Sequence, residues 1–162
     1  ELGNPLRLRR ALDLGVRVIA AHCASSGENE DLDQPGERAT SLELFLRLMD
    51  DARYVGLLFG EISTLTQINR YPNALERILE RGDLHGRLVN GSDWPLPALN
   101  VLYSVGDLVE DGFLAAAQAQ ALREIYDYHP LVFDLALKRL VRAPGSGARF
   151  AESVFSRPAE LR

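Results

Sequence analysis

The sequence predicts an α/β fold built on a parallel sheet, and three observations carry that expectation. Over the first hundred residues, segments with helical spacing and segments with strand composition alternate three times. Each strand is separated from the next by a helix, and such a crossover returns the chain to the same end of the sheet, so the strands run parallel. The strand segments themselves, 16–22, 54–63 and 87–93, are rich in apolar and β-branched residues and are closed by polar or turn-forming ones.

Taken in order, Asn4-Pro5 starts the first helix. Asn4 can accept from the orphan amides, and Pro5 fits the first helical position. Leu6, Leu8, Leu12 and Leu14 supply its apolar positions and Gly15 its stop. The strand 16–22 follows at once. Residues 25–40 are rich in Ser, Gly, Asn, Asp and Glu and read as one long loop, a length that is uncommon inside a domain and often functional. A second helix opens at Ser41-Leu42-Glu43-Leu44. Counted from Ser41, Glu43 falls one place short of a capping box. Leu42, Phe45, Leu46 and Met49 form the apolar stripe of this helix. After the strand 54–63 and a loop over 64–70, Tyr71-Pro72-Asn73 leads into a helix that Gly82 ends. The strand 87–93 is stopped by Trp94-Pro95-Leu96-Pro97. The remainder reads as helices over 98–110, 114–126 and 130–142, and the tail from Ala148 carries no strong signal.

Composition narrows the class. A chain of 162 residues is long enough for one domain with a real core. Its net charge is −5, and no stretch combines clustered Lys and Arg with aromatics, so no nucleic-acid partner is expected. The one basic knot, Arg7, Arg9 and Arg10, reads as the solvated face of the first helix. No apolar run reaches bilayer length and nothing reads as a signal peptide, so no membrane partner is expected. Cys23 is the sole cysteine, which allows no internal disulfide and is compatible with the cytoplasm, the expected location. The chain opens Glu1-Leu2-Gly3 and its only methionine is Met49, which reads as a piece cut from something longer.

Parallel sheets place their ligands at the carboxyl ends of the strands. Here those ends carry His22, Glu61-Ile62-Ser63 and Asp93. Strand alternation groups His22 with Ala20 and Val18 and turns Cys23 the other way. A Cys23–His22 dyad is then awkward, and Cys23 reads as a packing residue. Glu61 shares a face with Ser63, Phe59 and Leu57. Asp93 shares one with Gly91 and Val89, and Asn90 on the opposite face suggests a kink near Gly91. An imidazole and carboxylates converging on one rim suit zinc or manganese. They suit general acid–base chemistry without a metal equally well, and a lone His at a strand end also has a purely structural, hydrogen-bonded reading.

Four further residues are candidates, of which Trp94 and Arg70 carry two readings each. Trp94 lines a pocket rim or joins the core. Arg70, in the loop after the second strand, binds a substrate carboxylate or is a solvated arginine. His85 reads as a surface residue in a helix-to-strand turn, and His129 as helping to define the start of the last helix.

The run Ala20-Ala21-His22-Cys23, then Gly60-Glu61-Ile62-Ser63, then Leu88-Val89-Asn90-Gly91-Ser92-Asp93-Trp94-Pro95 resembles the later part of the amidohydrolase superfamily, in the branch of metal-dependent hydrolases, lactonases and decarboxylases. The separation of His22 and Asp93 (93 − 22 = 71 positions) suits that family's two late motifs. The resemblance covers residues 4–100 or so. It implies the C-terminal half of a (β/α)₈ TIM-type barrel, with residues 4–97 as late βα units and 98–162 as a helical C-terminal extension of a single partial domain, 1–162.

By the same resemblance His22 is a metal ligand, and Asp93 is both ligand and proton-handling base. By the resemblance Glu61 and Ser63 are carried as pocket residues, and Trp94 and Arg70 join them as substrate-binding candidates by their positions. The implied cofactor is a divalent metal ion, zinc first and manganese second. The implied reaction is hydrolysis of a small-molecule ester, lactone or amide, with decarboxylation by the same residues as the alternative. Departures from the family pattern are also legible. Its first-strand His-x-His pair is absent, no Lys or Glu from the fourth strand is evident, and three strong strands stand where a half-barrel needs four. A short fourth strand is therefore expected between Ser25 and Asp51. A half-barrel would leave open edges, so a homo-oligomer or a missing N-terminal half is the expected partner besides a small-molecule substrate. A half-barrel without catalysis of its own, which only associates with another chain, is the remaining reading.

Overall fold

Three short parallel strands organise the molecule in the computed structural model, which describes residues 3–156 together with Pro158 and Leu161. Glu1, Leu2 and the other tail positions of the expected 1–162 domain lie outside the described residues. A 3-10 turn over Pro5–Leu8 runs into α1 (Arg9–Leu12). Asn4 caps it as expected, accepting from the Leu6 amide at 3.0 Å. The strands are β1 (Val18–Ala20), β2 (Glu28–Glu30), β3 (Arg38–Thr40), β4 (Leu58–Glu61) and β5 (Leu88–Val89). β1, β4 and β5 form one parallel sheet in the order β1-β4-β5. The expected alternation thus gives a mixed α/β chain on a parallel sheet, and the described residues close no barrel.

Each parallel strand is shorter than its composition implies, and local backbone demands explain why. β1 ends at Ala20 because His22, Cys23 and Ala24 all take left-handed backbone conformations (φ +55°, +50° and +49°). β5 ends at Val89 because the Asn90 amide donates to the Val154 carbonyl at 2.9 Å instead of extending the ladder. In register, Ala20 faces Gly60 and Gly60 faces Leu88. Gly60 is a packing requirement: a Cβ there would lie 2.9 Å from each of Cys23 Sγ, Leu88 Cδ2 and Phe45 Cζ. This face is the core side of the sheet, with Leu58, Leu88, Cys23 and Phe45 all buried.

Residues 25–40 are not one structureless loop. β2 and β3 pair as an antiparallel hairpin, Asn29 opposite Ala39. Glu, Asn and Arg give these strands no β-forming signature, so side-chain bonds to the rest of the molecule hold them. Arg47 grips Asp31 with two bonds of 2.8 Å and reaches Asp33 at 3.1 Å. Arg9 adds a two-pronged bond to Asp33, at 2.5 and 2.7 Å. Of the basic knot, Arg9 therefore has a structural task. The hairpin lies outside the parallel sheet, so the fourth parallel strand expected between Ser25 and Asp51 is not present among the described residues.

This network has a pH signature. Hydrogen bonds from Arg9, and then from Arg47, hold the Asp33 carboxyl at about 2, below its ordinary value of 3.8. Arg47 lowers Asp31 as well. A depressed folded value means the contribution is present above the unfolded pKa and is lost as pH falls through the folded one. The hairpin is therefore expected to loosen between about pH 4 and pH 2, ahead of the parallel sheet. Amide hydrogen exchange across that range would sink the idea if hairpin and sheet amides kept the same relative protection.

α2 (Ser41–Asp50) begins one residue earlier in capping terms than the sequence reading allowed. Thr40 is the cap, so Glu43 does complete a capping box: the Glu43 amide donates to Thr40 Oγ1 at 3.2 Å and the Thr40 amide to Glu43 Oε2 at 3.1 Å. α3 (Asn73–Glu80) lies between β4 and β5 in sequence as expected. The expected helix 98–110 is broken. Two 3-10 turns, Leu96–Ala98 and Asn100–Leu102, precede a short α4 (Val105–Glu110), because Ser104 caps a fresh start by accepting from the Asp107 amide at 3.2 Å. α5 (Ala116–Tyr128) and α6 (Pro130–Leu140) follow. Leu108, Phe113, Leu122, Phe133 and Leu137 join the same apolar cluster as the sheet. No helix among the described residues is long and apolar enough to cross a membrane.

His85 corrects the sequence reading. It is only 3% exposed. Its Nε2 lies 3.1 Å from the Ile78 carbonyl, and Nδ1 accepts from the Ala151 amide at 3.1 Å. The second bond requires Nδ1 to be unprotonated, so Nε2 carries the hydrogen. His85 thus ties the tail to the turn before β5, a contact 66 positions long. His129 precedes α6 in extended conformation without a side-chain cap, so Pro130 marks the start.

Candidate functional site

The strand ends bring the expected residues together. Among the described residues, five non-glycine residues have left-handed φ: His22, Cys23, Ala24, Thr64 and Asp93. Every one lies just past the carboxyl end of β1, β4 or β5. Left-handed conformations cost about 1–3 kcal/mol each and persist where surrounding contacts impose them, characteristically at functional sites.

Glu61, the last residue of β4, is the anchor. Its Oε1 accepts from the Ser63 amide at 2.6 Å, and its Oε2 accepts from the Ser63 hydroxyl at 2.5 Å and the His22 amide at 3.3 Å. This places Ser63 Oγ 2.7 Å from His22 Nδ1. The chain of bonds determines the imidazole's tautomer. The Ser63 hydroxyl has one hydrogen, and a carboxylate is the better acceptor for it. Ser63 Oγ therefore accepts from Nδ1–H, and whenever the ring is neutral Nε2 carries a lone pair.

That lone pair faces Asp93. Nε2 lies 3.6 Å from Asp93 Oδ2. Two acceptors facing one another repel unless a cation or a proton sits between them. Two ligands at zinc's usual distances of about 2.0–2.1 Å on a tetrahedral centre stand about 3.3–3.4 Å apart, close to the spacing found here. Support of Nδ1 by a carboxylate-held hydroxyl is also how metal-binding histidines are commonly oriented. The pair therefore fits a shared cation as far as it goes. Asp93 and His22 supply two ligands, and no group of three or more His, Cys, Asp and Glu among the described residues converges to hold a metal.

Gly91 makes room for this arrangement: a Cβ there would lie 2.2 Å from Glu61 Oε1. The Gly91 carbonyl accepts from Lys138 Nζ at 2.6 Å, and the same ammonium donates to Asp134 Oδ2 at 2.7 Å. Both residues are buried on α6. Burial pushes the Asp134 carboxyl up, against the pull of Lys138. This pair escaped the sequence reading. Its signal is a charge pair at i, i+4 lying within the buried stripe Phe133, Asp134, Leu137 and Lys138.

The remaining candidates separate. Trp94 is 59% exposed, which removes the core reading and leaves the rim. Arg70 is half-buried, and its Nη1 donates to Ser25 Oγ at 3.1 Å. Burial lowers its pKa and the Asp93 charge partly offsets that. Cys23 is fully buried, its thiol directed to the Glu61 carbonyl at 3.4 Å, and burial pushes its pKa well up. It is a packing residue and no nucleophile. Compared with known proteins, the chain matches no family model, no curated protein and no solved structure.

Proposed function

We propose that the chain is the later half of a (β/α)₈ barrel of the amidohydrolase type and that it contributes the His22–Asp93 part of a metal-dependent hydrolase site. The observation that carries this reading is His22 Nε2 standing 3.6 Å from Asp93 Oδ2 at the carboxyl rim of a parallel sheet. His22 Nε2 and Asp93 Oδ2 would hold the metal, zinc first by donor type. The other ligands of a four-coordinate site would be water or residues beyond those described. When bound, the metal supplies Lewis-acid polarisation and makes water reactive near neutral pH.

The protein's own part follows from its hydrogen bonds. Glu61 and Ser63 hold the ring with Nδ1 protonated, so Nε2 stays available as a donor atom. Asp93 takes the proton of the attacking water as it adds to an ester, lactone or amide carbonyl, and returns it to the leaving oxygen or nitrogen as that bond breaks. Lys138 holds the Gly91 carbonyl and with it the loop that carries Asp93. Trp94, exposed next to Asp93, would stand at the rim of the site.

The test is a zinc titration followed through the ring signals of His22 by NMR. Weak, saturable binding at Nε2 is expected. Asp93→Asn should abolish it, and Ser63→Ala should weaken it by about tenfold or more, the usual effect of losing a residue that orients a ligand. A His22 ring that ignores zinc, or that responds equally in Asp93→Asn, would overturn the reading.

A further inference from the structure

We infer that a cavity among α4, α5 and α6 binds a small organic ammonium ion that keeps an N–H, an alkylated amine in its protonated form. The cavity has a volume of about 270 Å³, small for a ligand pocket. It shares no lining residue with the His22–Asp93 rim, so the inference does not rest on the function proposed above. Its walls are the rings of Tyr103, Tyr126 and Phe133. Tyr103 comes just before the Ser104 cap of α4, Tyr126 lies on α5 and Phe133 on α6. Each tyrosine ring stands nearly perpendicular to that of Phe133, at 89° and 5.3 Å for Tyr103 and at 85° and 5.0 Å for Tyr126. Rings set this way turn π faces in more than one direction. The negative face of a ring attracts a cation within about 6 Å of its centre, and more strongly where water is excluded. Phe133 and Tyr103 are both buried, which keeps the inner end of the cavity out of water.

The polar atoms and the charges around them decide the kind of ligand. The Tyr126 hydroxyl is shut off from solvent and has no hydrogen-bond partner among the described residues, a cost that a donor in the cavity would remove. The Tyr103 hydroxyl accepts from Gln67 Nε2 at 3.3 Å, which holds its ring in place. Burial pushes the pKa of both phenols up, that of Tyr103 to about 12. The Gln67 bond works against this at Tyr103, while the charges of Asp134 and Asp93 add to it, and Asp127 adds to it at Tyr126. Arg123, Tyr126 and Asp127 share one face of α5 by their spacing of three and four. Arg123 and Asp127 both stand exposed at the mouth of the cavity. Asp127 acts on the Tyr126 hydroxyl and Arg123 does not, so the field at that oxygen is negative. A cation gains from this field and from the ring faces, whereas an anion is repelled by both. An ammonium N–H donated to the Tyr126 oxygen, with its alkyl groups against the rings and Val105, satisfies each of these walls.

The experiment is a titration of the whole chain with trimethylammonium chloride near neutral pH, followed by NMR through the ring signals of Tyr103, Tyr126 and Phe133. The comparators are tert-butanol, of similar shape without charge, and tetramethylammonium, charged but without an N–H. Saturable binding of trimethylammonium is expected, with tetramethylammonium weaker and tert-butanol without effect. Tyr126→Phe keeps the ring and removes only an unpartnered hydroxyl, so the variant should fold. It should weaken trimethylammonium by at least about tenfold, the loss that accompanies a charge-assisted bond, and leave tetramethylammonium unchanged. Asp127→Asn should weaken both cations and Arg123→Gln tighten both, each by about two- to fivefold, the range of an exposed charge contact. A merely structural Tyr126 would not separate the two cations in this way. No saturable response to trimethylammonium, an equal response to tert-butanol, or trimethylammonium affinity unchanged in a folded Tyr126→Phe would overturn the assignment.

Discussion

Replacing Lys138 with methionine is expected to cost the fold about 3–5 kcal/mol, the usual effect of stranding one member of a buried ion pair. Both side chains are shut off from solvent, at 0% exposure for Lys138 and 2% for Asp134. The ammonium donates to Asp134 Oδ2 and to the Gly91 carbonyl, and Asp134 Oδ1 already lacks a partner. Methionine matches the volume and removes both bonds, leaving a carboxylate with no counter-charge. A loss of this size is a large part of a typical domain's whole stability. Urea unfolding measures it, and a change under about 1 kcal/mol would show that the pair does not act as described.

The pH dependence of that variant is a second check on the same cause. With Lys138 gone, burial and then the Glu61 charge act on Asp134 unopposed and raise its folded pKa further. A raised folded value means that stability is fully present below the unfolded pKa and is lost as pH rises through the folded one. The penalty of Lys138→Met should therefore be smaller near pH 4 than at pH 7. Adding Asp134→Leu should recover most of the loss, because the stranded charge is then removed as well.

Gly91→Ala is expected to leave a folded protein with a rearranged site. Gly91 does not need a left-handed backbone, so alanine strains nothing along the main chain. The difficulty is its Cβ, which would meet Glu61 Oε1 at 2.2 Å and Cδ at 2.7 Å. Glu61 is a flexible side chain and can swing away, so the fold should lose only about 1–3 kcal/mol, typical of overpacking. Swinging away breaks its bonds to the Ser63 amide, the Ser63 hydroxyl and the His22 amide. The Ser63 hydroxyl then turns its hydrogen to His22 Nδ1, and the ring's own hydrogen moves to Nε2. Nitrogen NMR of the ring should show that exchange of tautomers, and zinc affinity should fall by about 10–100-fold. An unchanged tautomer with unchanged zinc binding would remove Glu61 from the site.

These two substitutions also mark where sequence reading stops. The cap of Asn4 on the Leu6 amide was legible because its partner lies two positions away, whereas the fresh start at Ser104, which breaks the helix expected over 98–110, was missed although Asp107 lies only three positions on. Even there, a shift of one residue hid the box formed by Thr40 and Glu43. The hairpin Glu28–Thr40 was illegible because its strands are polar, and arginines from α1 and α2 hold it in place of any β-forming composition. His85 read as a surface residue because nothing near it in sequence tells of the Ala151 amide.

By itself the sequence determined that helices and strands alternate, that the strands run parallel, and that His22, Glu61, Ser63 and Asp93 stand at their carboxyl ends. Those statements need only periodicity and the geometry of crossovers, which are local. Only the tertiary structure decided how these groups meet: the Ser63 hydroxyl donates to Glu61, His22 Nδ1 lies on Ser63 Oγ, and Nε2 faces Asp93. It also decided that Lys138 lies under Gly91 and that Arg70 bonds the Ser25 hydroxyl. The physical reason is distance along the chain. Apart from Glu61 and Ser63, two positions apart, these contacts join residues 41 to 47 positions apart, or 71 for His22 and Asp93 (93 − 22), and they depend on strand register and helix docking, which no short window of sequence records.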